Sequence, residues 1–426
     1  MARLLVLSLN YSPEPTGFAP HTTALAEHLV AEGHTVTVVT GFPFAPRWAR
    51  WSSYRREFLR RETVNGVRLV RISHFIPRRP GSAIQRILME GSFALIGFLV
   101  LTPSLVSGRR FDLVLYVGAQ PAIAWLARIV AAVQRVPYMV KITDLAAQAS
   151  IDVGITRAGR PSRALEYFEY QAYRRARAAI VLCDAFKAAL VANGFPVSAV
   201  HLIRDSVDLN VIHPGADGSA FRRRHGIGDR EFIVLYSGSL GLKQGLFDVV
   251  DAAQLTVAAC PEVRWVLVGE GETRVALARR VQSSGIEDRV IMLPLQPEAE
   301  LAGMFAAADL LLLSQLRSVK DTVIPSKLLM YMAAGRAILA AVNPESQAAA
   351  IVRDAQGGII VPAEDPQAMA EAVCAAQASR SALETMAKRN RVYAEEHFDR
   401  AAIVSAQQRV IEQIFGENPD TRWRQV

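Results

Sequence analysis

Cysteine is scarce, and the spacings that turn cysteine, histidine and acidic residues into metal sites are missing. The three cysteines, Cys183, Cys260 and Cys374, stand far apart, with no CxxC spacing and no histidine cluster beside them. Neither a disulfide framework nor a zinc site is therefore expected, and a reducing cytoplasm suits the chain best. No DxD pair stands in a loop to hold a divalent metal, and nothing matches the GxGxxG turn of a dinucleotide cofactor. The opening MARLLVLSLNYSPEP lacks the long apolar core and small-residue cleavage site of a secretory signal, so export is not expected. The uncharged run GSFALIGFLVLTPSLV, from Gly91 to Val106, falls short of the roughly 20 residues that cross a bilayer.

What is present points to a globular α/β protein. A chain of 426 residues exceeds what one hydrophobic core supports, which predicts two domains of roughly 200 residues each. Short β-branched runs alternate with helical patterns, as βαβ units and parallel sheets require. The first series comprises RLLVLSLN, HTVTVVT, VRLVRI, DLVLYVG, YMVKIT and AAIVLC; a second restarts with FIVLYSG, RWVLVGEG, RVIMLP, DLLLLS, RAILAA and GGIIVP. Between them, IRDSVDLNVIHPGADGS carries the Pro, Gly and Asp punctuation of a hinge. The expected organisation is a Rossmann-like domain over residues 1–205, a second over 206–400, and a helix in 401–426 that packs back. Parallel α/β sheets bind ligands at the carboxyl ends of their strands, so the active site is expected where the two sets of loops face each other.

The net charge of +8 is unevenly placed: eleven arginines lie between Arg47 and Arg86 against only Glu57 and Glu62. Trp48, Trp51, Tyr54, Phe58 and Phe75 are interleaved with them. Beside the apolar run 91–106, such a patch suits an anionic membrane surface, with a core helix next to a solvated basic face as the alternative. Nucleic acid is not expected, because no helix-turn-helix, zinc or RNP-like pattern accompanies the charge.

Several loops have the chemistry of a phosphate or sugar site. Gly17 lies in a Pro-rich loop before the first helix, where free N–H groups and the helix dipole would meet a ligand; His21 stands near that helix start. Gly238, Ser239 and Gly241 form a small-residue turn after a strand, with Lys243 close by, so backbone amides and one cation could face a diphosphate. Gly269, Glu270 and Gly271 end the next strand. Pro325 and Ser326 open a helix with Lys327 in its first turn, a start that suits a pyrophosphate, and Gly335 ends that helix. Asp144 follows the strand YMVKIT and could orient or deprotonate an acceptor hydroxyl, or cap a helix instead. Ordinary turns with solvated side chains are the plain alternative for Gly17, His21, Lys243 and Glu270.

The segments NYSPEPTG, GHTVTVVTGFP, IRDSVDLNVIHP, YSGSLGLKQGL, LVGEG, VIMLPLQP and IPSKLLMYMAAGRAILA follow one another in an order that resembles the family-4 retaining glycosyltransferases. The likeness covers nearly the whole chain and is greatest to the bacterial exopolysaccharide branch of colanic-acid, WcaI-type transferases. The resemblance implies a GT-B fold and a nucleotide-diphosphate sugar bound mainly by the C-terminal domain, with backbone near Leu293 holding the base. It further implies an acceptor held by the N-terminal domain, and retention of configuration without a metal. Two positions depart from the family: its ribose-gripping glutamate and a sugar-facing acid correspond to Met330 and Thr322. Asp321 is the expected stand-in for the second of these. The family's diphosphate-loop Arg and Lys fall at Ser239 and Gln244, leaving the charge to Lys243 and Lys327.

These expectations combine into transfer of a sugar from a UDP- or GDP-sugar to a lipid-linked or growing polysaccharide acceptor in the cytoplasm, at the inner face of the membrane. A nucleotide-sugar 2-epimerase shares the architecture, and the missing glutamate leaves room for a non-catalytic nucleotide-sugar-binding partner of an assembly complex.

Overall fold

The computed structural model describes residues 1–15, 17–106, 108, 110–146, 159–319 and 324–416. The chain divides into two compact units: Met1–Asp205 with Ala401–Val426, and Ser206–Arg400.

The first unit runs β1 (Arg3–Leu7), α1 (Ala19–Ala31), β2 (Thr35–Gly41), β3 (Leu59–Val64), β4 (Val67–Ile72), α2 (Ala83–Val106), β5 (Leu113–Gly118), α3 (Pro121–Gln134), β6 (Tyr138–Ile142), α4 (Arg160–Tyr173), β7 (Ala178–Val181), α5 (Asp184–Ala192) and β8 (Val200–Leu202). Among the described residues its sheet has eight strands in the order β3-β4-β2-β1-β5-β6-β7-β8. All neighbours pair in parallel except β3, which runs antiparallel to β4 at the edge. The central strands β5 and β6 are buried along their whole length, as their unbroken apolar sequences require when helices cover both faces.

The second unit runs α6 (Ser219–Arg224), β9 (Phe232–Ser237), α7 (Leu246–Ala259), β10 (Val263–Val268), α8 (Arg274–Ser283), β11 (Val290–Leu293), α9 (Glu298–Ala307), β12 (Leu310–Ser314), α10 (Ser326–Ala333), β13 (Ala337–Val342), α11 (Gln347–Asp354), β14 (Gly358–Pro362), α12 (Pro366–Ala378) and α13 (Arg380–His397). Its sheet is parallel in the order β11-β10-β9-β12-β13-β14, with one apolar core on each face. The order reverses at β9 and β12, so the loops leaving those two strands flank the crevice where doubly wound sheets take ligands. In the first unit β1 and β5 hold the equivalent positions.

The last helix, α14 (Arg400–Gly416), belongs to the first unit: Val410, Ile411, Ile414 and Phe415 share a core with Leu25 and Leu29 of α1. His28 and Gln408 bond at 2.7 Å on the same contact.

Three features depart from the sequence reading. Strand β3 comes from Leu-Arg-Arg-Glu-Thr-Val, whose alternating exposed and half-buried pattern marks a polar edge strand; the arginines hid it inside the basic stretch. Cys260 and Cys374, 114 residues apart, form a disulfide with Cα atoms 5.8 Å apart. Sequence spacing says nothing of this, because α7 and α12 are brought side by side by the fold. Finally, the apolar run is only the later part of α2, whose 24 residues are long enough to cross a membrane and lie largely uncovered. One stripe of it, Met89, Phe93, Gly97 and Leu101, is buried.

Candidate active site

The second unit holds the residues expected on the donor side. After β9 the chain turns at Gly238, whose φ of +149° is open to glycine, and a Cβ there would come within 3.3 Å of the Lys327 ammonium. Lys327 rises from the first turn of α10 and donates to Gln244 Oε1 at 2.6 Å and to the Tyr236 hydroxyl at 2.8 Å, lying 4.2 Å above the Tyr236 ring. The Tyr236 hydroxyl in turn donates to the Ser239 carbonyl at 2.6 Å. Tyr331, fully buried in the same helix, accepts from Ser237 N at 2.9 Å and donates to Ser237 O at 3.2 Å. Two tyrosines thus fix the start of α10 against the end of β9. Burial pushes both phenols well above their ordinary range, so they stay neutral.

Lys243 sits in a short 3-10 turn, and its carbonyl accepts from Leu316 N at 2.9 Å, which joins the β9 loop to the loop leaving β12. Pro325 precedes α10 in extended conformation with no side-chain cap, and Ser326 is exposed as the first helical residue. The opening N–H groups of a helix have no partner within it, so this end favours an anion. Gly335 follows the helix at φ +57°, in contact distance of Pro214, and performs the termination expected of it. Met330 packs against the apolar core, and Asp321, with Thr322, lies outside the described residues.

The glycines after β10 have a packing reason. A Cβ on Gly269 would fall 1.8 Å from Gly238 O, and one on Gly271 would fall 2.3 Å from Leu240 O. The β9 and β10 loops therefore interlock backbone to backbone. Gly269 N donates to Leu293 O at 3.0 Å, and Arg274 donates to the carbonyls of Gly269 at 2.7 Å and Leu293 at 3.0 Å. Arg274 ties the ends of β10 and β11 together, a role the sequence did not disclose; Tyr236 was missed likewise, and Gln244, at the family's lysine position, was not expected to bond Lys327. Glu270 is half exposed and lies 3.8 Å from the Arg274 guanidinium.

The first unit's site residues are grouped differently. Gly17 has φ +66° with open space where a Cβ would go, so only its backbone conformation requires glycine. His21, in the first turn of α1, lies 3.7 Å from Asp205 Oδ2, and Lys141 at the end of β6 lies 3.4 Å from Asp205 Oδ1. Lys141 is 1% exposed. Burial pushes the Asp205 carboxyl up, but the charges of His21 and Lys141 outweigh that and hold it below the usual carboxylate range. Glu14, 3% exposed, accepts from Phe44 N and Ala45 N at 2.8 Å each and from Asn10 Nδ2 at 2.8 Å, which locks the loop after β1 to the loop after β2. Neither Lys141, Asp205 nor Glu14 was singled out from the sequence, although all three flank motifs that were.

Asp144 follows β6 and accepts from Leu145 N at 2.9 Å. Arg86 of α2 lies in electrostatic reach of both Asp144 and Glu90, and Asp144 is also within electrostatic reach of the Cys183 thiol. Burial pushes the Glu90 carboxyl up to about 7, helped by Glu169 and opposed by Arg86 and by the Ala122 amide, which donates to it at 3.4 Å. Among the described residues no group of three His, Cys, Asp or Glu side chains is arranged to hold a metal ion.

Comparison with known proteins assigns this architecture. Residues 16–205 match the family described as glycosyl transferase 4-like domain, and residues 217–393 match glycosyl transferases group 1. The chain is 27% identical over 340 residues to the putative colanic acid biosynthesis glycosyl transferase WcaI of Escherichia coli, covering 78% of this chain and 81% of that protein. Among solved structures it is similar to sucrose-phosphate synthase from Thermosynechococcus elongatus, with a TM-score of 0.73 at 19% identity over 98% of this chain and 100% of the other. The Anabaena protein HepE in complex with UDP and glucose superposes with a TM-score of 0.70 at 15% identity over 97% and 100% of the two chains. Two parallel α/β units, two family matches that together span most of the sequence and a relative matched over 78% of this chain make it a member of the family-4 glycosyltransferases of GT-B fold.

Proposed function

We propose that the chain transfers a sugar from a nucleotide-diphosphate donor, UDP- or GDP-linked, to a lipid-linked or growing exopolysaccharide acceptor. Configuration is retained, no metal is required, and the reaction runs in the cytoplasm at the inner face of the membrane. The observation that carries this reading is the Lys327 ammonium set between Gly238 and Gln244 at the strand-order reversal of the second unit. Two of its hydrogen bonds go to neutral oxygens, which orient the cation. Together with the opening amides of α10 and with Lys243, it would stabilise charge growing on the leaving diphosphate, the role other enzymes give to a divalent ion.

Gly238, Ser239, Gly269, Glu270, Leu293, Pro325 and Ser326 line the donor side in this reading, with Leu293 meeting the base through its backbone. Gly17, His21 and Asp144 serve the acceptor, Asp144 by orienting its hydroxyl, and Asp321 stands near the sugar. HepE crystallised with UDP-glucose and the WcaI likeness support the donor class and the polysaccharide context.

The test is transfer from radiolabelled UDP- and GDP-sugars to a bacterial membrane extract, with and without EDTA. The expected result is EDTA-resistant product that falls on the order of 100-fold for Lys327→Met, as for loss of one preorganised donor to a developing anion. Strict metal dependence, epimerised donor in the absence of acceptor, or full activity of the variant would each contradict part of the proposal.

A further inference from the structure

Helix α2 has two faces of opposite character. Met89, Phe93, Gly97 and Leu101 form one buried stripe at four-residue spacing. At Gly97 the backbone comes so near α3 that a Cβ would lie 2.9 Å from Leu126. The only charged residues of the helix, Arg86 and Glu90, belong to this inward side: Arg86 bonds Pro80 O at 2.7 Å, and Glu90 accepts from the start of α3. The outward side is apolar and uncovered, with Ile84 71%, Ile87 67%, Leu95 61%, Leu99 60% and Val106 81% exposed.

Neighbouring helices continue this surface. On α3, Ile129 and Val133 are 43% and 57% exposed one turn apart, in line with Trp125. Trp125 stacks on Phe168 of α4 at 5.5 Å and donates to its carbonyl at 3.0 Å, joining the two helices; Tyr167 beside it is 69% exposed. Soluble monomers seldom leave so many large side chains uncovered in one continuous facet. The charge around the facet is largely of one sign: Arg78 and Arg79 precede α2, Arg110 follows it, and Arg128 lies 4.5 Å over the Trp125 ring.

We infer that the α2-α3-α4 facet is the seat of the protein on an anionic lipid bilayer, with α2 lying in the plane of the interface rather than crossing it. Apolar side chains enter the acyl boundary while the flanking arginines meet anionic headgroups and Trp125 and Tyr167 occupy the interfacial layer. Length alone would let α2 span, since 24 residues extend about 36 Å. Its buried stripe decides otherwise: crossing would strip Phe93 and Gly97 from the first unit and carry Arg86 and Glu90 into hydrocarbon. The inference gives a surface and an orientation to the membrane location in the proposed function, and rests on that reading only for its purpose.

The experiment is flotation of the full chain on vesicles of phosphatidylcholine alone and of phosphatidylcholine with phosphatidylglycerol, alongside nucleotide binding in the same samples. Preferential flotation with the anionic vesicles, weakened by salt, is expected, and Leu95→Glu with Leu99→Glu should lower it at least about tenfold while the melting temperature holds. Hydrogen exchange of the wild type adds a readout that needs no variant: vesicles should protect residues 84–106, and protection confined to other surfaces overturns the inference. So does a lipid-free dimer that Leu95→Glu dissolves, which would make the facet a contact between copies. Retention in bacterial membranes through an alkaline carbonate wash would replace the in-plane helix with a spanning one. Lost flotation with nucleotide binding intact refutes this inference alone, whereas intact flotation without nucleotide binding refutes the donor-site reading alone.

Discussion

The two units carry the same kind of sheet but build the carboxyl ends of their strands from opposite materials. In the second unit the loops after β9 and β10 are glycines locked backbone to backbone, backed by two neutral tyrosines, with Lys327 bonded to the Tyr236 hydroxyl and Gln244. The first unit places ionisable groups inside: Lys141 with Asp205 and His21, Glu14 under two loops, and Glu90 beside Glu169 and Arg86. A preorganised amide cradle suits an anion whose charge is always present. Buried acids and bases make a site whose integrity follows pH and whose parts depend on one another. The difference teaches that the same topology leaves the choice of chemistry to a handful of loop residues.

The comparison breaks most visibly at Asp205. Asp205→Asn leaves Lys141 buried without its counter-ion, and about 3 kcal/mol of stability should be lost, the lower end for a broken buried pair because Asp205 keeps 21% side-chain exposure. Urea unfolding measures it, and a loss below about 0.5 kcal/mol would place the pair among ordinary surface contacts.

A glycine contrast is next in size. Gly269→Ala drives a methyl into the Gly238 carbonyl and should destabilise by up to about 3 kcal/mol with loss of donor binding, whereas Gly17→Ala meets open space and should cost about 1 kcal/mol for its backbone angle alone. Equal losses would mean that the two loops are not built as differently as described.

The last effect concerns pH. The Glu90 carboxyl is raised to about 7 in the folded chain from an ordinary 4.5. Between those values the folded state holds a proton that the unfolded state has released, so stability falls as pH rises from about 4.5 to about 7 and levels off above. Glu90→Gln should flatten that part of the melting-temperature profile; an unchanged slope would remove Glu90 from the buried set.

Much of the fold was legible because buried parallel strands read as unbroken apolar runs. All six runs of the second series became β9 to β14, and the six of the first became β1, β2, β4, β5, β6 and β7. Two of the described strands escaped. The edge strand β3 alternates with charge, and β8 is three residues long. The turn after β9 was legible through its glycines, since a tight turn demands small residues. What stayed hidden were partners supplied by distant segments: Arg274 for Leu293, Tyr236 for Lys327, Asp205 for Lys141 and Cys374 for Cys260. The basic stretch was read as one patch, yet Arg71 is buried against Glu62 at 2.6 Å and Arg50 bonds Ser73 at 2.6 Å. Arginines that hold β3, β4 and their loops together cannot be told from surface arginines by composition.

Crystals soaked with UDP- and GDP-sugars test the central claim most directly. The account predicts a diphosphate at the start of α10, with its oxygens about 3 Å from the Lys327 ammonium and from amides of the Gly238 turn. A nucleotide bound away from the β9 and β12 loops, with no phosphate on Lys327, would contradict it.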